Sequence, residues 1–165
     1  MNLFLRAMIS LDLPEVAAID RSARDPLPLR RLREWLHFAP PRPRIGLVAE
    51  CRDPGPLEYA PVGFALYTVR RGRLTLDRLA VRPDCRRQGV GRRLVADVQR
   101  RTLTHCVPRV VCTVPETDLS ALCFLRACGV TPARLVSGRY GDADGVRFVM
   151  PGGLRVPAGL SAGVK

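Results

Sequence analysis

Lysine is all but missing: every one of the 27 basic residues except Lys165 is arginine, set against 15 acidic residues for a net charge of +12. That charge would suit nucleic acid, anionic lipid, acidic protein or a phosphate-rich ligand. The same one-sided arginine usage, beside 15 prolines and 14 glycines, is equally what codon bias would leave. Aromatic residues make up only 5% of the chain. No stacking series accompanies arginines spread over several elements, so no specific nucleic-acid partner is expected. The two histidines are His37 and His105, and the cysteines Cys51, Cys85, Cys106, Cys112, Cys123 and Cys128 contain no CxxC pair. Zinc-ligand spacing is therefore absent and no metal site is expected. Reduced thiols acting as small apolar side chains are the better reading, and only Cys85 stands apart, bordering a glycine-rich turn. No apolar run reaches the roughly 18 to 20 residues needed to cross a bilayer. The residues Met1 to Arg6, with Asp12 and Glu15 close behind, lack the basic head and apolar stretch of a signal peptide. A soluble cytoplasmic protein, monomer or homodimer, is expected.

A chain of 165 residues fits one domain with a substantial core. We place that domain at 1–150 and a glycine- and proline-rich tail at 151–165. Residues 3–9 read as a strand. Asp12 and Glu15 resemble a capping box ahead of a helix with Val16 and Ile19 on its apolar stripe. A second helix after Pro28 puts Leu29, Leu32 and Leu36 on one face and stops at Pro40-Pro41-Arg42-Pro43. Strands follow at 45–51 and 61–69, around a turn at 53–56, and at 74–81 after Arg71-Gly72-Arg73. From residue 90 the period becomes helical, with Val90, Leu94 and Val98 on the apolar side and Arg92, Arg93, Asp97, Arg100 and Arg101 at polar positions. Residues 107–114 are β-prone. Asp118 caps a helix carrying Ala121, Leu122, Leu125 and Cys128 inward, and Gly129 ends it. Strands at 130–136 and 146–150 flank a turn at 141–145.

The change of period falls within Leu79-Ala80-Val81-Arg82-Pro83-Asp84-Cys85-Arg86-Arg87-Gln88-Gly89-Val90-Gly91-Arg92-Arg93-Leu94. This reads as strand, tight turn and amphipathic helix. A diphosphate needs several amide protons aimed at it with no bulky side chain between, and a helix start supplies them with a favourable dipole. Gly89 and Gly91 permit the approach, and Arg86, Arg87, Arg92 or Arg93 can add charge-assisted bonds. An exposed turn with incidental arginines is the competing reading. The GxGxxG and GxxxxGK[ST] orders of the other phosphate motifs are absent.

At these residues the chain resembles the GCN5-related N-acetyltransferase (GNAT) superfamily, whose signature Q/R-x-x-G-x-G/A is met by Arg86-Arg87-Gln88-Gly89-Val90-Gly91, preceded by Val81, Pro83 and Asp84. The order of elements from about residue 3 to 150 is similar too, most of all to the ribosomal-protein alanine acetyltransferase branch. The resemblance implies a mixed, three-layer α/β/α fold with a twisted central sheet, and acetyl-CoA as co-substrate. It implies a bulged fourth strand that diverges from the fifth. Leu79, Ala80 and Val81 would then offer backbone groups to the pantetheine arm, and the amides of residues 87 to 91 would hold the diphosphate. Asp118 falls where many relatives have a cofactor-contacting asparagine.

The resemblance thins at the catalytic positions. Relatives carry a tyrosine seven residues beyond that asparagine, where this chain has Leu125, and the alanine-acetylating branch has a glutamate where this chain has Thr113. Glu116 is a replacement general base or else a solvated loop acid. Tyr140 is a candidate to bind the acceptor or supply the acid, or else a strand aromatic covering the core. Tyr59 and Tyr67 are weaker acceptor-site candidates. The expected function is direct acetyl transfer from acetyl-CoA to an amine, with a protein N-terminus the first acceptor to consider. The rivals are an acyl-CoA-binding regulatory protein with little turnover and a basic nucleic-acid-associated protein.

Overall fold

Seven strands form one mixed sheet in the computed structural model, which describes residues 2–22, 26–36, 43–53, 55 and 59–153. In chain order the elements are β1 (Leu3–Ala7), α1 (Leu13–Asp20), α2 (Leu29–Arg33), β2 (Arg44–Cys51), β3 (Pro61–Arg70), β4 (Arg73–Val81), α3 (Val90–Thr104), β5 (Arg109–Pro115), α4 (Leu119–Ala127), β6 (Pro132–Tyr140) and β7 (Ala143–Pro151). The strand order is β1-β2-β3-β4-β5-β7-β6, every pair antiparallel except β4 with β5. A parallel pair cannot be joined by a tight turn, and α3 supplies the crossover. Helices α1 and α2 bury Leu13, Val16, Ile19 and Leu32 against Val48, Phe64 and Leu66 on one face. Helix α3 buries Val90, Leu94, Val95 and Val98 on the other, together with Leu125 of α4 and the inward side chains of β2 to β5 and β7. The three-layer α/β/α arrangement is the one expected.

Local chemistry departs from the sequence reading at several points. Asp12 makes no side-chain cap on α1. It is buried, is gripped at both oxygens by Arg6, and accepts from Ile9 N at 2.7 Å. Charge pairing with a neighbouring strand outcompetes the local cap, because a buried carboxylate needs a full partner. Asp97, expected at a solvent position, is likewise buried and paired with Arg100 and Arg101. The last hairpin turns tightly at Gly141-Asp142, with Tyr140 opposite Ala143, so Gly145 lies inside β7 rather than in the turn. Strand β1 ends at Ala7, and β5 starts at Arg109 because Pro108 has no amide to add to the ladder. Asp118 does cap α4, accepting from Ala121 N at 3.0 Å. Gly129, at φ 75°, closes that helix in the left-handed conformation that favours glycine. His37, the Pro40, Pro41 and Arg42 stop, Pro54, Pro56 and the tail beyond Gly153 lie outside the described residues.

One buried ion pair ties the first helix to the fourth strand. Arg78 Nε meets Asp20 Oδ1 at 2.6 Å, Asp20 is 0% exposed, and its other oxygen accepts from Leu27 N. Removing the arginine leaves that carboxylate buried without its cation. Arg78→Met is expected to cost about 3–5 kcal/mol of stability in urea unfolding. The double variant Arg78→Met/Asp20→Leu should recover much of it. A single variant unfolding at the native midpoint would remove the pair from the account of stability.

Candidate active site

The cleft arises where β4 and β5 part. They pair only at Leu74 with Val110, Thr75 with Val111 and Leu76 with Cys112. The next residue, Asp77, is an extra one: on β3 Tyr67 faces Leu76 and Leu66 faces Arg78, leaving Asp77 as a bulge. A bulge bends its strand and increases the local twist. Here it steers β4 away from β5, so the β4 edge facing β5 from Asp77 to Val81 is left without ladder partners. Leu79, Ala80 and Val81 remain paired on the other side with Ala65, Phe64 and Gly63. The gap is lined on its floor by Leu76, Leu79, Cys112, Val114, Phe124 and Leu125. It widens into a cavity of about 590 Å³ bordered by Asp77, Asp118, Ala121 and Tyr140.

At the far end of that edge lies the turn. Pro83–Cys85 make one turn of 3-10 helix, Arg87 sits at φ 64° and Gly89 at φ 85°, and Gly89 is the N-cap of α3. Two left-handed residues so close together curl the chain into a concave run of amides, a shape that binds anions. The helix ladder opens with Arg93 N to Gly89 O at 3.0 Å, and the amides of the first turn have no partner within the helix. A Cβ built on Gly89 meets nothing within 4 Å, so open space stands before the amides. A Cβ on Gly91 would come within 3.1 Å of the Phe124 ring, which keeps that position small. Val81, Arg86, Arg87, Gly89, Val90, Gly91, Arg92 and Phe124 all border this recess, and Phe124 also floors the gap. The two spaces share the Phe124 ring as a wall.

The side chains of the turn do more holding than the sequence suggests. Arg86 donates from Nε to Val81 O at 3.0 Å and from Nη2 to Ser22 Oγ at 3.0 Å, tying the turn to β4 and to the end of α1. Gln88 folds back to donate to Asp84 O, and Arg92 donates to Ala127 O at the end of α4. A group with an apolar-walled arm and an anionic end fits this space. The arm would lie along the open β4 edge and the anion would meet the amides of residues 87 to 91.

Among the titratable groups, Asp77 was not singled out in the sequence, although it is the one acid of its strand. It lines both parts of the cleft. Its carboxyl accepts from Thr68 Oγ1 at 2.6 Å. Its pKa is raised by desolvation among the surrounding protein atoms, against the opposing effects of the Thr68 hydrogen bond, Arg70 and Arg44. The residue nevertheless keeps an exposed edge, as a group does at the wall of an open cleft.

Tyr140 also borders the cleft, and its hydroxyl donates to Thr113 O at 2.6 Å. Desolvation raises its pKa, so the phenol is protonated near neutral pH. Glu116 is exposed, borders neither space, and accepts from Asp144 N at 3.4 Å while its own amide donates to Asp144 O. Asp118 borders the wider cavity while capping α4. Leu125 is 3% exposed and forms part of the apolar floor. Cys85 is buried, with a thiol pKa pushed up by desolvation and by Asp84, which argues against a thiolate nucleophile. Tyr67 is sealed in the core with its hydroxyl 3.4 Å from His105 Nε2, away from the cleft, and Tyr59 is exposed.

Comparison with known proteins gives a consistent picture of this frame. The sequence model described as the acetyltransferase (GNAT) family matches residues 11–130. Comparison with curated proteins finds no match. Among solved structures, the chain is similar to the ribosomal-protein-S18-alanine N-acetyltransferase from Escherichia coli, with 20% identity, a TM-score of 0.75, and 93% of this chain and 96% of that one covered. It is similar to Ard1 from Thermoplasma volcanium at 17% identity and TM-score 0.75, covering 93% and 100% of the two chains. Arabidopsis thaliana NAA60 in complex with a bisubstrate analogue aligns at 16% identity and TM-score 0.77, over 91% and 99%. At such identities the likeness speaks for the fold.

Proposed function

Because the chain belongs to the acetyltransferase (GNAT) family, an N-acetyltransferase that uses acetyl-CoA as co-substrate, we propose that its acceptor is a polypeptide N-terminal amine, acetylated in the cleft between β4 and β5. The observation that carries the site is the parting of the two strands at the Asp77 bulge, in line with the concave amide turn.

Acetyl-CoA brings an acyl group already activated as a thioester; transfer forms a C–N bond, breaks the C–S bond and releases free thiol. The amides of residues 87 to 91 hold the diphosphate end, with Arg87 and Arg92 adding charge, and Arg86 keeps the turn in place. The unpaired edge of Leu79 to Val81 aligns the arm. Both ends of the donor are thereby fixed, which converts the encounter with the amine into a positioned reaction.

Asp77 takes the proton of the incoming amine. It stands on the cleft wall at the point of divergence, and its raised pKa makes the carboxylate a better base than an ordinary surface aspartate. Tyr140 remains protonated and is the proposed donor to the departing thiolate. Glu116 serves to fasten the β5–α4 loop to β7, through its two contacts with Asp144. Asp118 sets the start of α4 against the arm. Structural neighbours in this fold include the ribosomal-protein-S18-alanine N-acetyltransferase named above, whose name gives a protein alanine as acceptor, and this supports a polypeptide amine here.

Incubation with acetyl-CoA and a library of peptides bearing free N-termini, read by mass spectrometry, is expected to show time-dependent acetylation at the α-amine. Tight binding of acetyl-CoA without acetylation of any peptide, or of a panel of small amines, would replace this reading with that of a binding protein.

A further inference from the structure

The face of the sheet beside the cleft carries unneutralised charge. Helices α1 and α2 cover β2, β3 and part of β4, whereas Thr113, Arg147 and Arg134, on the same face of β5, β7 and β6, all keep contact with solvent. Arg147 pairs across to Thr113 on one side and to Arg134 on the other. Thr113 follows Cys112, the last residue of β5 paired with β4, so this row stands one strand from the mouth of the cleft. Arg139 lies over Gly145, where an added Cβ would strike both its stem and Thr113 Cγ2. Arg73 opens β4 on the same side.

Two independent features suggest that these arginines await a partner. Among the described residues none of Arg73, Arg134, Arg139 and Arg147 has an ion pair. The Nε of Arg147 is buried with no hydrogen-bond partner, a state that costs free energy until an acceptor arrives. The pKa of Arg147 is lowered, by desolvation first and then by repulsion from Arg134, Arg73 and Arg139. An anion placed among the four would relieve that repulsion.

We infer that this arginine row is the recognition surface for an acidic polypeptide acceptor, whose carboxylates it binds while the N-terminal amine enters the cleft. The inference rests on the acetyltransferase reading for the chemistry and names the class of substrate. The spacing favours several carboxylates over one small anion. Arg73 on β4 and Arg134 on β6 stand three strand spacings apart in the sheet, about 14 Å between their backbones, more than a single phosphate bridges. An extended acceptor places alternate side chains about 7 Å apart on one side, so acids near its N-terminus can meet separate guanidinium groups. Such bonds are charge-assisted and, with arginine, can be bidentate.

The test uses labelled peptides with a free N-terminus, identical except for acidic, amide or basic side chains at positions two to four. Each is titrated by fluorescence anisotropy against the full chain in saturating CoA, with acetylation of the same peptides followed by mass spectrometry in acetyl-CoA. The acidic peptide is expected to bind about tenfold more tightly than the amide peptide, with the difference shrinking as salt is raised. Arg134→Glu/Arg139→Glu, on the exposed strand β6, should erase the preference while leaving the affinity for acetyl-CoA unchanged. Arg73→Glu, on a different strand, should do the same. Equal binding of acidic and amide peptides, or a preference that survives both variants, would overturn the inference. So would displacement by a single-stranded oligonucleotide that binds more tightly than a peptide of equal charge, since the row would then be a nucleic-acid surface. Acetylation without acidic preference would end this inference alone. Acidic preference without acetylation of any peptide would instead end the transferase reading.

Discussion

Asp77→Asn is expected to lower kcat for acetyl transfer by about 10²- to 10⁴-fold, the usual worth of one positioned proton-transfer group, with the Kd for acetyl-CoA unchanged. The asparagine keeps the size of the side chain and an oxygen that can accept from Thr68 Oγ1, so the bulge and the opening of the cleft should persist. What is lost is the capacity to take a proton. The same substitution should make the protein more stable at neutral pH. Desolvation by the surrounding protein atoms raises the pKa of Asp77 in the fold, although the side chain still reaches solvent, so the folded state favours the protonated form more than the unfolded state does. The stability linked to this group is therefore fully present below the ordinary aspartate pKa of about 3.9 and is lost as pH rises through the raised folded value. The asparagine variant cannot ionise and escapes that loss. Its thermal midpoint should exceed the native one near pH 7, and the two should converge in acid. In the native protein kcat should fall as the pH drops through a value above that of an ordinary aspartate. A variant with native kcat, or one less stable at pH 7, would remove Asp77 from the role of base. Glu116→Gln serves as the companion measurement and is expected to leave kcat near the native value, because Glu116 borders no part of the cleft.

Gly89→Trp is expected to weaken acetyl-CoA binding by about 100-fold or more, as measured by calorimetric titration. Open space stands where the new side chain would project, and the proposed site puts the diphosphate in that space. Gly89 also sits at φ 85°, a conformation that costs any other residue roughly 1–2 kcal/mol. Gly89→Ala carries the same backbone strain with little bulk and separates the two effects. It should lose modest stability and only a small part of the affinity. Equal affinity in the tryptophan variant, with its circular dichroism native, would take the turn out of the binding site. Equal loss in the alanine and tryptophan variants would mean that backbone shape, rather than blocked space, governs binding.

Much of this protein is readable before any coordinates. The order of strands and helices follows from apolar period and turn chemistry, and the change of period at Gly89 marks the start of α3. The cap at Asp118 and the glycine stop at Gly129 involve residues within four positions of one another, where local geometry dominates. Element boundaries shift by a few residues where pairing with a distant strand decides the end, as at β6, which runs to Tyr140 because β7 returns directly beside it. The capping box at Asp12 fails for a different reason: the carboxylate turns back to Arg6 on β1 and to Ile9 N, both before the helix, instead of forward to its first turn.

The candidate site divides along the same line. Gly89, Gly91 and the arginines around them are contiguous in the chain, so the sequence alone determined that a strand, a tight turn and a helix start would follow one another there, the arrangement on which the proposed phosphate site rests. The proposed base and the position of the cleft beside it were decided by tertiary structure. Asp77 matters because the register of β3 against β4 leaves it as the extra residue, and because β5, more than thirty positions later, pairs with β4 only as far as Leu76. Glu116, close to the cleft in sequence, is turned away by its bonds to Asp144 on β7. The arginine row exists only after β4, β5, β7 and β6 have been laid side by side, joining residues 73, 134, 139 and 147 on one face. Backbone preferences are local and can be read one turn at a time; the pairing of strands and the side of a sheet on which a charge emerges are set by contacts between residues far apart in the chain.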